Sequence, residues 1–239
     1  MGSWITLAHP GIAEIMAKAG FDWLTVDMEH SVISLREAEE LIRVIELSGT
    51  APLVRLSSND PVQIKRVMDA GAHGVIVPMV NSVPEAEAAV RAVRYPPQGN
   101  RGVGLARAQG YGASFKEYMR RLEAGVVVVV QVEHIQAVLN LERILAVDGV
   151  DACIVGPYDL SGSLGVPGRF DHPSMREAMQ KILDIAKAAN KPCGIHVVEP
   201  DVSELKTRVA QGYTFIAYSL DIRMLDRSCR EGLKIVRSG

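Results

Sequence analysis

The sequence alternates short apolar runs with amphipathic segments, and this alternation occurs eight times along its 239 residues. The apolar runs have the length and β-branched content of strands, and the segments between them have the three-and-four spacing of a helix face. The run at 126–132 is rich in valine, which suits a strand buried on both faces in a parallel sheet. The predicted strands are residues 3–7, 22–28, 52–56, 74–79, 126–132, 151–155, 192–197 and 214–218. The predicted helices are residues 10–19, 35–45, 61–68, 84–94, 135–145, 174–188, 201–210 and 224–236.

Eight strand–helix pairs without a linker or a break in composition predict a closed (β/α)8 TIM barrel, an α/β fold that covers residues 1–239 as one domain. One segment, at 95–111, interrupts the alternation of strands and helices, because prolines and glycines separate the fourth helix from the fifth strand there. A short helix is expected at 114–122, after this segment. A loop of this length usually serves a functional site or a subunit contact.

The composition excludes several classes of partner. The 26 basic and 28 acidic residues give a net charge of −2, which argues against nucleic-acid binding. The longest apolar run, at 126–130, is far shorter than the roughly 20 residues of a membrane span, and the N-terminus has no signal-peptide pattern. Three scattered cysteines without a CxxC motif are typical of buried thiols in a reducing compartment. We therefore expect a cytoplasmic protein with no membrane partner.

Acidic residues follow the fifth and sixth predicted strands, which are neighbours in the barrel. Glu133 comes directly after the valine-rich strand, and Asp159 follows the strand at 151–155. Because TIM barrels place their chemistry at the carboxyl ends of the strands, both carboxylates could converge there. Two carboxylates favour a hard cation such as Mg²⁺ or Mn²⁺, with water or substrate oxygens completing the coordination. Alternatively, Asp159 only caps a short helix and Glu133 is only a surface charge.

His30 and Arg55 follow the second and third predicted strands and are the other candidates at this rim. Arg55 is suited to hold a carboxylate or to stabilise an oxyanion, although it could be an ion-paired core residue instead. His30 is suited to act as a general base near neutral pH, although it could simply stand at a helix entry.

Several chemistries lack their sequence signature. No lysine stands at a predicted strand end, which argues against a Schiff base. The sequence has no GxSxG motif, no P-loop, no full dinucleotide fingerprint and no HExxH motif. Metal-assisted carbon–carbon or proton chemistry on a small acid is the reaction class that remains.

Ordered motifs along nearly the whole chain resemble the HpcH/HpaI aldolase family, the metal-dependent class II pyruvate aldolases. These motifs are Asp27-Met28-Glu29-His30-Ser31, Pro52-Leu53-Val54-Arg55, Asn59-Asp60-Pro61, Val77-Pro78-Met79-Val80, Arg94-Tyr95-Pro96-Pro97, Arg101-Gly102-Val103-Gly104, Val130-Gln131-Val132-Glu133 and Gly156-Pro157-Tyr158-Asp159-Leu160-Ser161. The resemblance implies reversible cleavage of 4-hydroxy-2-oxo acids into pyruvate and an aldehyde. It also implies a homo-oligomer, a hexamer of paired subunits that exchange their last helix.

The resemblance assigns roles to individual residues. It implies that Glu133 and Asp159 bind the metal, which would be Mg²⁺ or Mn²⁺ with Co²⁺ as a further candidate. It implies that His30 is the base, that Arg55 stabilises the enolate and the keto oxygen, and that Asp69 pairs with His30. The substrate-binding residues that it implies are Gln131, Gly156, Pro157 and Tyr158.

The sequence leaves alternatives open for the partner of His30, for the aldehyde and for the function. Asp69 lies at the end of the third predicted helix, which points away from the active rim of a barrel, whereas Asp27 is nearer to His30 in sequence. Tyr158 stands where the family commonly has a small residue, so the aldehyde partner is not fixed. A condensing enzyme or lyase that acts on oxaloacetate or an acyl-CoA is the alternative function on the same barrel, and a non-catalytic scaffold is a third.

Overall fold

A computed structural model describes residues 1–237 and contains a closed barrel of eight parallel strands, each paired with the next along the chain and the last with the first. The strands are β1 (Gly2–Ile5), β2 (Trp23–Asp27), β3 (Ala51–Arg55), β4 (Gly74–Val77), β5 (Val127–Val132), β6 (Ala152–Val155), β7 (Cys193–Val197) and β8 (Phe215–Leu220). The predicted single-domain (β/α)8 TIM barrel is therefore confirmed. Its expected boundary at residue 239 lies outside the described residues.

Helices connect the strands and surround the barrel. They are α1 (Pro10–Lys18), α2 (Leu35–Leu47), α3 (Pro61–Asp69), α4 (Val83–Val93), α5 (Phe115–Gly125), α6 (Ile135–Leu145), α7 (Pro157–Ser163), α8 (Pro173–Ala188), α9 (Val202–Ala210) and α10 (Asp221–Arg237). The last helix begins at Asp221, before the expected start at 224. The Asp221 carboxylate ties this start to the β1–α1 loop, because it accepts hydrogen bonds from the backbone N–H groups of Thr6 and Leu7, both at 2.8 Å.

Local sequence determines where α2 and α3 begin. The Ser34 hydroxyl accepts a hydrogen bond from the Glu37 N–H, and the Glu37 carboxylate accepts one from the Ser34 N–H, which forms a capping box. The Asp60 carboxylate caps α3 by accepting from the N–H groups of Val62 and Gln63. Because these caps fix the helix starts, the short segments between strand and helix hold defined positions at the carboxyl ends of β2 and β3.

The hydrophobic core has two layers, one inside the barrel and one between the strands and the helices. Val129 packs inside the barrel with Trp4 and Ile76. Val128 and Val130, which alternate with Val129 along β5, pack in the outer layer against the helices. The valine-rich strand is thus buried on both faces, as predicted.

The segment at 95–111 is more ordered than the sequence suggests. It ends in a 3₁₀ helix at Arg107–Gly112 and leads into α5, which is longer than the expected helix at 114–122. Arg101 is buried, with its guanidinium carbon 4.2 Å from the centroid of the Tyr95 ring, and it donates a hydrogen bond to the Tyr118 hydroxyl at 2.6 Å. In the part of the chain that the structure describes, no helix is long and apolar enough to cross a membrane.

Candidate active site

A pocket of about 420 Å³ opens at the carboxyl ends of the barrel strands. It contains eight of the nine site residues that the sequence analysis named, and the exception is Asp69. The eight residues are His30, Arg55, Gln131, Glu133, Gly156, Pro157, Tyr158 and Asp159. The remainder of the lining comes from β1, β2, β6 and β7, from residues just after β1 and β7, and from the end of β8 and the start of α10.

Glu133 is buried at the end of β5, and both of its carboxylate oxygens accept a hydrogen bond. Oε1 accepts from the Gln131 side-chain amide, and Oε2 accepts from the Met79 N–H at 3.1 Å. Met79 has a positive φ of 53°, which is unusual for a residue with a side chain and costs backbone energy. Burial raises the pKa of Glu133, and the nearby charge of Asp159 raises it further. A carboxylate in this situation is stabilised by a bound cation.

Asp159 lies in the first turn of α7, directly after β6, close enough to Glu133 for the two charges to interact. The N-cap of α7 is Gly156, so Asp159 is not the cap residue that the alternative interpretation required. Gly156 leaves room for the neighbouring carboxylate, because a Cβ at this position would lie 2.5 Å from Glu133 Oε1.

The donors in this corner of the pocket fit a hard divalent cation. Glu133 and Asp159 supply carboxylate oxygens, and the buried Gln131 Oε1 has no hydrogen-bond partner within residues 1–237. Residues 1–237 contain no group of three or more His, Cys, Asp or Glu side chains that could hold a metal ion. A cation at this position would therefore take its remaining ligands from water or substrate, as Mg²⁺ and Mn²⁺ commonly do.

Arg55 lines the same pocket and is held in place by several contacts. Its Nε donates to Asp27 Oδ1 at 2.9 Å and its Nη2 donates to Asp27 Oδ2 at 2.7 Å, while Nη1 lies 3.3 Å from Glu29 Oε2. The guanidinium also stacks over the Trp4 ring, 4.4 Å from its centroid. Arg55 is thus ion-paired, as one interpretation of the sequence had it, and it also lines the pocket, as the other required.

His30 stands at the edge of the pocket with 63% of its side chain exposed. Its Nε2 lies 3.7 Å from Glu29 Oε2, whose carboxyl has a pKa raised by burial. Asp27 does not hold the imidazole, since its Oδ1 accepts from the backbone N–H groups of Glu29 and His30 and its carboxylate pairs with Arg55. Of the two aspartates considered as partners of His30, Asp27 therefore pairs with Arg55 and not with the imidazole.

Asp69 ends α3, and the chain direction places that helix end at the opposite side of the barrel from the pocket. Within residues 1–237 its buried Oδ1 has no hydrogen-bond partner. Burial raises the pKa of Asp69, and the charge of Arg101 opposes the shift. One chain does not bring Asp69 to His30, so the pairing of these two residues stays a prediction from the resemblance.

His196 and Trp4 also line the pocket, and the sequence analysis gave them no role. Burial lowers the pKa of His196 to about 4, so its imidazole is neutral near pH 7. Its Nε2–H donates to the Ser219 carbonyl at 3.2 Å, and its ring lies 5.6 Å from the Trp4 ring. Period-two alternation could have found His196, because Ile195 and Val197 on either side of it in β7 pack in the outer layer and His196 therefore faces the barrel interior.

Comparisons with known proteins identify the family to which the chain is similar. The chain matches the family model of the HpcH/HpaI aldolase/citrate lyase family over residues 1–227. It is 39% identical to a 2-dehydro-3,6-dideoxy-6-sulfogluconate aldolase from Pseudomonas putida, over 97% of this chain and 90% of that protein. It is also 39% identical to a hydroxypyruvate/pyruvate aldolase from Pseudomonas aeruginosa, over 97% of this chain and 86% of that protein. A solved HpcH/HpaI aldolase/citrate lyase family protein from Burkholderia cenocepacia aligns with a TM-score of 0.93 and 37% identity, over 99% of this chain and 93% of that one.

Proposed function

The chain belongs to the HpcH/HpaI aldolase/citrate lyase family and is an aldolase, a carbon–carbon lyase, and from this premise we propose that it reversibly cleaves a 4-hydroxy-2-oxo acid into pyruvate and an aldehyde with the help of a divalent metal ion. The observation that carries the proposal is the shared pocket of Glu133, Asp159 and Arg55. Two carboxylates can hold a cation, and a guanidinium supplies fixed positive charge beside a developing oxyanion.

We propose Glu133 and Asp159 as ligands of Mg²⁺ or Mn²⁺, with Co²⁺ as a further candidate. The burial of Glu133 and its repulsion from Asp159 support this assignment, because both effects are relieved by a bound cation. When bound, the ion supplies Lewis-acid chemistry at the 2-oxo group of the substrate. Gln131 orients Glu133 through its side-chain amide, and its own free Oε1 can accept a hydrogen bond from water.

Arg55 stabilises the negative charge that develops on the 2-oxo oxygen as the enolate of pyruvate forms. Its two hydrogen bonds to Asp27 and its contact with the Trp4 ring hold the guanidinium in place before the reaction. A charge that is already oriented stabilises the transition state without a cost of reorganisation at the moment of bond cleavage.

His30 transfers the proton. In cleavage it takes the proton of the 4-hydroxyl, directly or through a water molecule. The C3–C4 bond then breaks, its electron pair enters the enolate of pyruvate, and the carbon that carried the hydroxyl leaves as the aldehyde. A proton added at C3 of the enolate completes pyruvate. In synthesis His30 returns the proton to the new hydroxyl. Asp69 is proposed to support His30 only from the family pattern, since the two lie apart within one chain.

The 2-oxo acid is proposed to contact Gln131 and the start of α7. Gly156, Pro157 and Tyr158 line the pocket beside Asp159, and this supports a role for them next to the proposed metal ligand. Small-molecule 2-oxo acids and aldehydes are therefore the partners that we propose.

The alternative function, condensation or cleavage with oxaloacetate or an acyl-CoA, has less support in this site. An acyl-CoA enzyme needs basic side chains for the nucleotide, and Arg101 and Arg107 are the candidates in the long segment. Arg101 is buried between two tyrosines, and Arg107 donates to Glu46 at 2.5 Å and to the Ala70 carbonyl at 2.9 Å. Neither guanidinium group lines the pocket.

We further propose that the chain forms a homo-oligomer in the cytoplasm. Leu225, Leu233 and Ile235 of α10 are exposed in the single chain, and an exposed apolar surface on one helix is typical of a subunit contact. This supports the hexamer with exchanged last helices that the resemblance implies. The cysteines of the described residues are free thiols, which suits a reducing compartment.

Pyruvate release from a panel of 4-hydroxy-2-oxo acids tests the proposed function. Each substrate is incubated with the metal-free enzyme in EDTA, and then with added Mg²⁺, Mn²⁺ or Co²⁺. We expect release that EDTA abolishes and metal restores. If no substrate of the panel releases pyruvate from the folded, metal-loaded protein, the aldolase proposal for this pocket fails and oxaloacetate and acyl-CoA donors become the next substrates to test.

A further inference from the structure

His196 presents a neutral hydrogen-bond acceptor to the pocket. The Ser219 carbonyl can only accept, so its contact with Nε2 at 3.2 Å requires the proton of the imidazole on that nitrogen. Burial lowers the pKa of His196 to about 4, so the ring is neutral near pH 7 and Nδ1 carries a lone pair. Among the described residues Nδ1 has no hydrogen-bond partner. Unlike the Trp4 indole nitrogen, it is not sealed off from the pocket that the ring lines.

The strand register places His196 beside a proposed metal ligand. Val155 of β6 pairs with Val132 of β5 and with Ile195 of β7. One residue further along the chain, Glu133 and His196 therefore stand at the same level of the rim, with one β6 residue between them. Neighbouring strands lie about 4.8 Å apart, so about 10 Å separate the two backbones. A small molecule held by a cation at Glu133 would lie between the two side chains.

The His196 ring belongs to the inner part of the pocket. Ile195 and Val197 pack in the outer layer, so the ring between them faces the barrel interior. The groups that act on the ring come from β1, β2, β3 and β8 of the same chain. Tyr158, which lines the same pocket, is by contrast 60% exposed and marks its open side. The 2-oxo acid at the proposed metal position is therefore the substrate within reach of Nδ1, and the aldehyde approaches from the open side.

The lone pair of Nδ1 needs a hydrogen-bond donor on the ligand. A carboxylate, a phosphate or a carbonyl oxygen supplies none. A second cation is disfavoured, because the charge of Arg55 acts on the ring and, after burial, is a further cause that lowers the pKa of His196. A hydroxyl group is neutral and can donate. On a 2-oxo acid that binds a cation through its carboxylate and 2-oxo oxygens, the carbon left free to carry this hydroxyl is C3.

We propose that His196 is a specificity-determining residue for the 2-oxo acid, and that its Nδ1 accepts a hydrogen bond from a hydroxyl group on C3, so that 3-hydroxy-2-oxo acids are substrates alongside pyruvate. In their addition a proton leaves C3, the electron pair of the enolate forms the bond to the aldehyde carbon, and the aldehyde oxygen takes up a proton. The product is a 3,4-dihydroxy-2-oxo acid. This inference rests on the proposed aldolase function and extends its first substrate.

Two 2-oxo acids of nearly equal size test the hydrogen bond. Hydroxypyruvate has a hydroxyl group on C3, and 2-oxobutanoate has a methyl group in its place. Addition of each acid to acetaldehyde is measured with the Mn²⁺-loaded enzyme. The ratio of kcat/KM for hydroxypyruvate to that for 2-oxobutanoate is compared between native protein and variants, because this comparison cancels the intrinsic reactivities of the two acids.

Variants of His196 should change this ratio. His196→Leu should lower it about 5- to 150-fold, the range for one buried hydrogen-bonding group left unpaired. His196→Asn should restore part of it, because the amide oxygen can lie near the position of Nδ1. The Ser219 carbonyl also accepts from the Ser3 hydroxyl at 3.1 Å, so it keeps a partner in each variant. His73→Leu, the same substitution at the opposite end of the barrel, should leave the ratio unchanged.

An unaltered ratio in folded His196→Leu would overturn the proposal. His196→Phe keeps a ring beside Trp4 without an acceptor, and it decides in the same way if His196→Leu does not fold. The variants are also assayed with pyruvate and either glycolaldehyde or acetaldehyde, which differ by a hydroxyl group on the aldehyde. This second ratio should stay constant. If it falls in His196→Leu while the first ratio does not, Nδ1 contacts the aldehyde and the assignment to C3 is wrong.

Exchange of the C3 hydrogens in D2O separates this proposal from the proposed function, because exchange needs the enolate but no aldehyde. It is followed by proton NMR for pyruvate and hydroxypyruvate, and enzyme-free samples give the spontaneous rate. If pyruvate exchanges and adds to acetaldehyde while hydroxypyruvate does neither, only the proposal for His196 is overturned. If neither acid exchanges and no addition occurs, the proposed function fails and the proposal for His196 fails with it.

Discussion

Asp27 binds the guanidinium of Arg55 through two parallel hydrogen bonds, Nε to Oδ1 at 2.9 Å and Nη2 to Oδ2 at 2.7 Å. The two residues end neighbouring strands at the same register, since Asp27 of β2 is the partner of Arg55 in β3. A bidentate pair of this kind fixes both the position and the plane of the guanidinium. The strand pairing therefore orients the charge that we assign to the oxyanion.

Removal of the guanidinium should cost most of the transition-state stabilisation at this position. For Arg55→Ala we expect kcat/KM to fall by 10²–10³, about 2.7–4 kcal/mol, as for the loss of an oxyanion-hole donor. Arg55→Lys should recover little, because an ammonium group cannot form the planar pair with Asp27. Steady-state kinetics of pyruvate release measure both effects, and an unchanged kcat/KM in Arg55→Ala would remove Arg55 from the mechanism.

Removal of the Asp27 charge should lower kcat/KM through its effect on the position of the Arg55 guanidinium. In Asp27→Asn one side-chain oxygen remains to accept a hydrogen bond, so we expect a smaller loss than in Arg55→Ala, about tenfold in kcat/KM. The double variant Asp27→Asn/Arg55→Ala should then be no slower than Arg55→Ala alone. Glu39→Gln is the control, because it breaks an exposed ion pair with Arg43 far from the pocket. Additive losses in the double variant would show that Asp27 acts independently of Arg55.

Gly156 offers a test of the Glu133 position. A Cβ at residue 156 would lie 2.5 Å from Glu133 Oε1 and 2.7 Å from its Cγ, so Gly156→Ala must displace the carboxylate. We expect at least a tenfold loss of metal affinity, the size of effect of misplacing a metal ligand's support. Gly162→Ala in the same helix is the matched control, because a Cβ there has no heavy atom within 4 Å. Equal metal affinities of the two variants, measured by calorimetry, would argue against the proposed metal site.

The positions of several site residues follow from the sequence alone, because the alternation of a strand decides which side chains face the barrel interior. Along β5, Val129 and Gln131 share one strand face, and Glu133 continues the same alternation just beyond the strand. The barrel closure then brings the ends of β2, β3, β5 and β6 to one rim, which is why eight predicted residues meet in one pocket.

Other parts of the site depend on contacts that no local pattern encodes. From the sequence, the carboxylate of Asp27 could contact either His30 or Arg55. It contacts Arg55 because the register of β2 with β3 pairs these two residues. The backbone N–H of Met79 reaches Glu133 only through a positive φ, which the residue type does not suggest. The proposed pairing of Asp69 with His30 does not form within one chain, because α3 carries Asp69 away from the rim.

Metal binding should raise the thermal stability of the protein through its carboxylate ligands. A ligand present at 100 times its Kd stabilises the folded state by about 2.7 kcal/mol. We expect Mn²⁺ or Mg²⁺ to raise the Tm of the native protein, and Glu133→Ala and Asp159→Ala to abolish this shift while their metal-free forms stay folded. Circular dichroism measures both Tm and fold. A full metal-dependent shift in both variants would place the cation elsewhere.

Glu46 lies at the opposite end of the barrel from the pocket and should control acid stability without affecting catalysis. Its carboxylate contacts His73 Nε2 at 3.1 Å and Arg107 Nη2 at 2.5 Å, and these contacts lower the pKa of Glu46 to about 2. Because the folded state holds this carboxylate ionised below its ordinary pKa, its contribution is complete above about pH 5 and is lost as the pH falls towards 2. The loss should amount to roughly 1–3 kcal/mol.

Urea unfolding between pH 7 and pH 3 tests this linkage. The native protein should lose more unfolding free energy over this range than Glu46→Gln, which has no carboxyl to protonate, so the two should converge in acid. Both proteins should release pyruvate at the same rate at pH 7, since Glu46 is far from the pocket. Parallel pH profiles would show that the ion pairs of Glu46 do not stabilise the fold, because only a carboxylate with a lowered pKa makes the native protein more acid-sensitive than the amide variant.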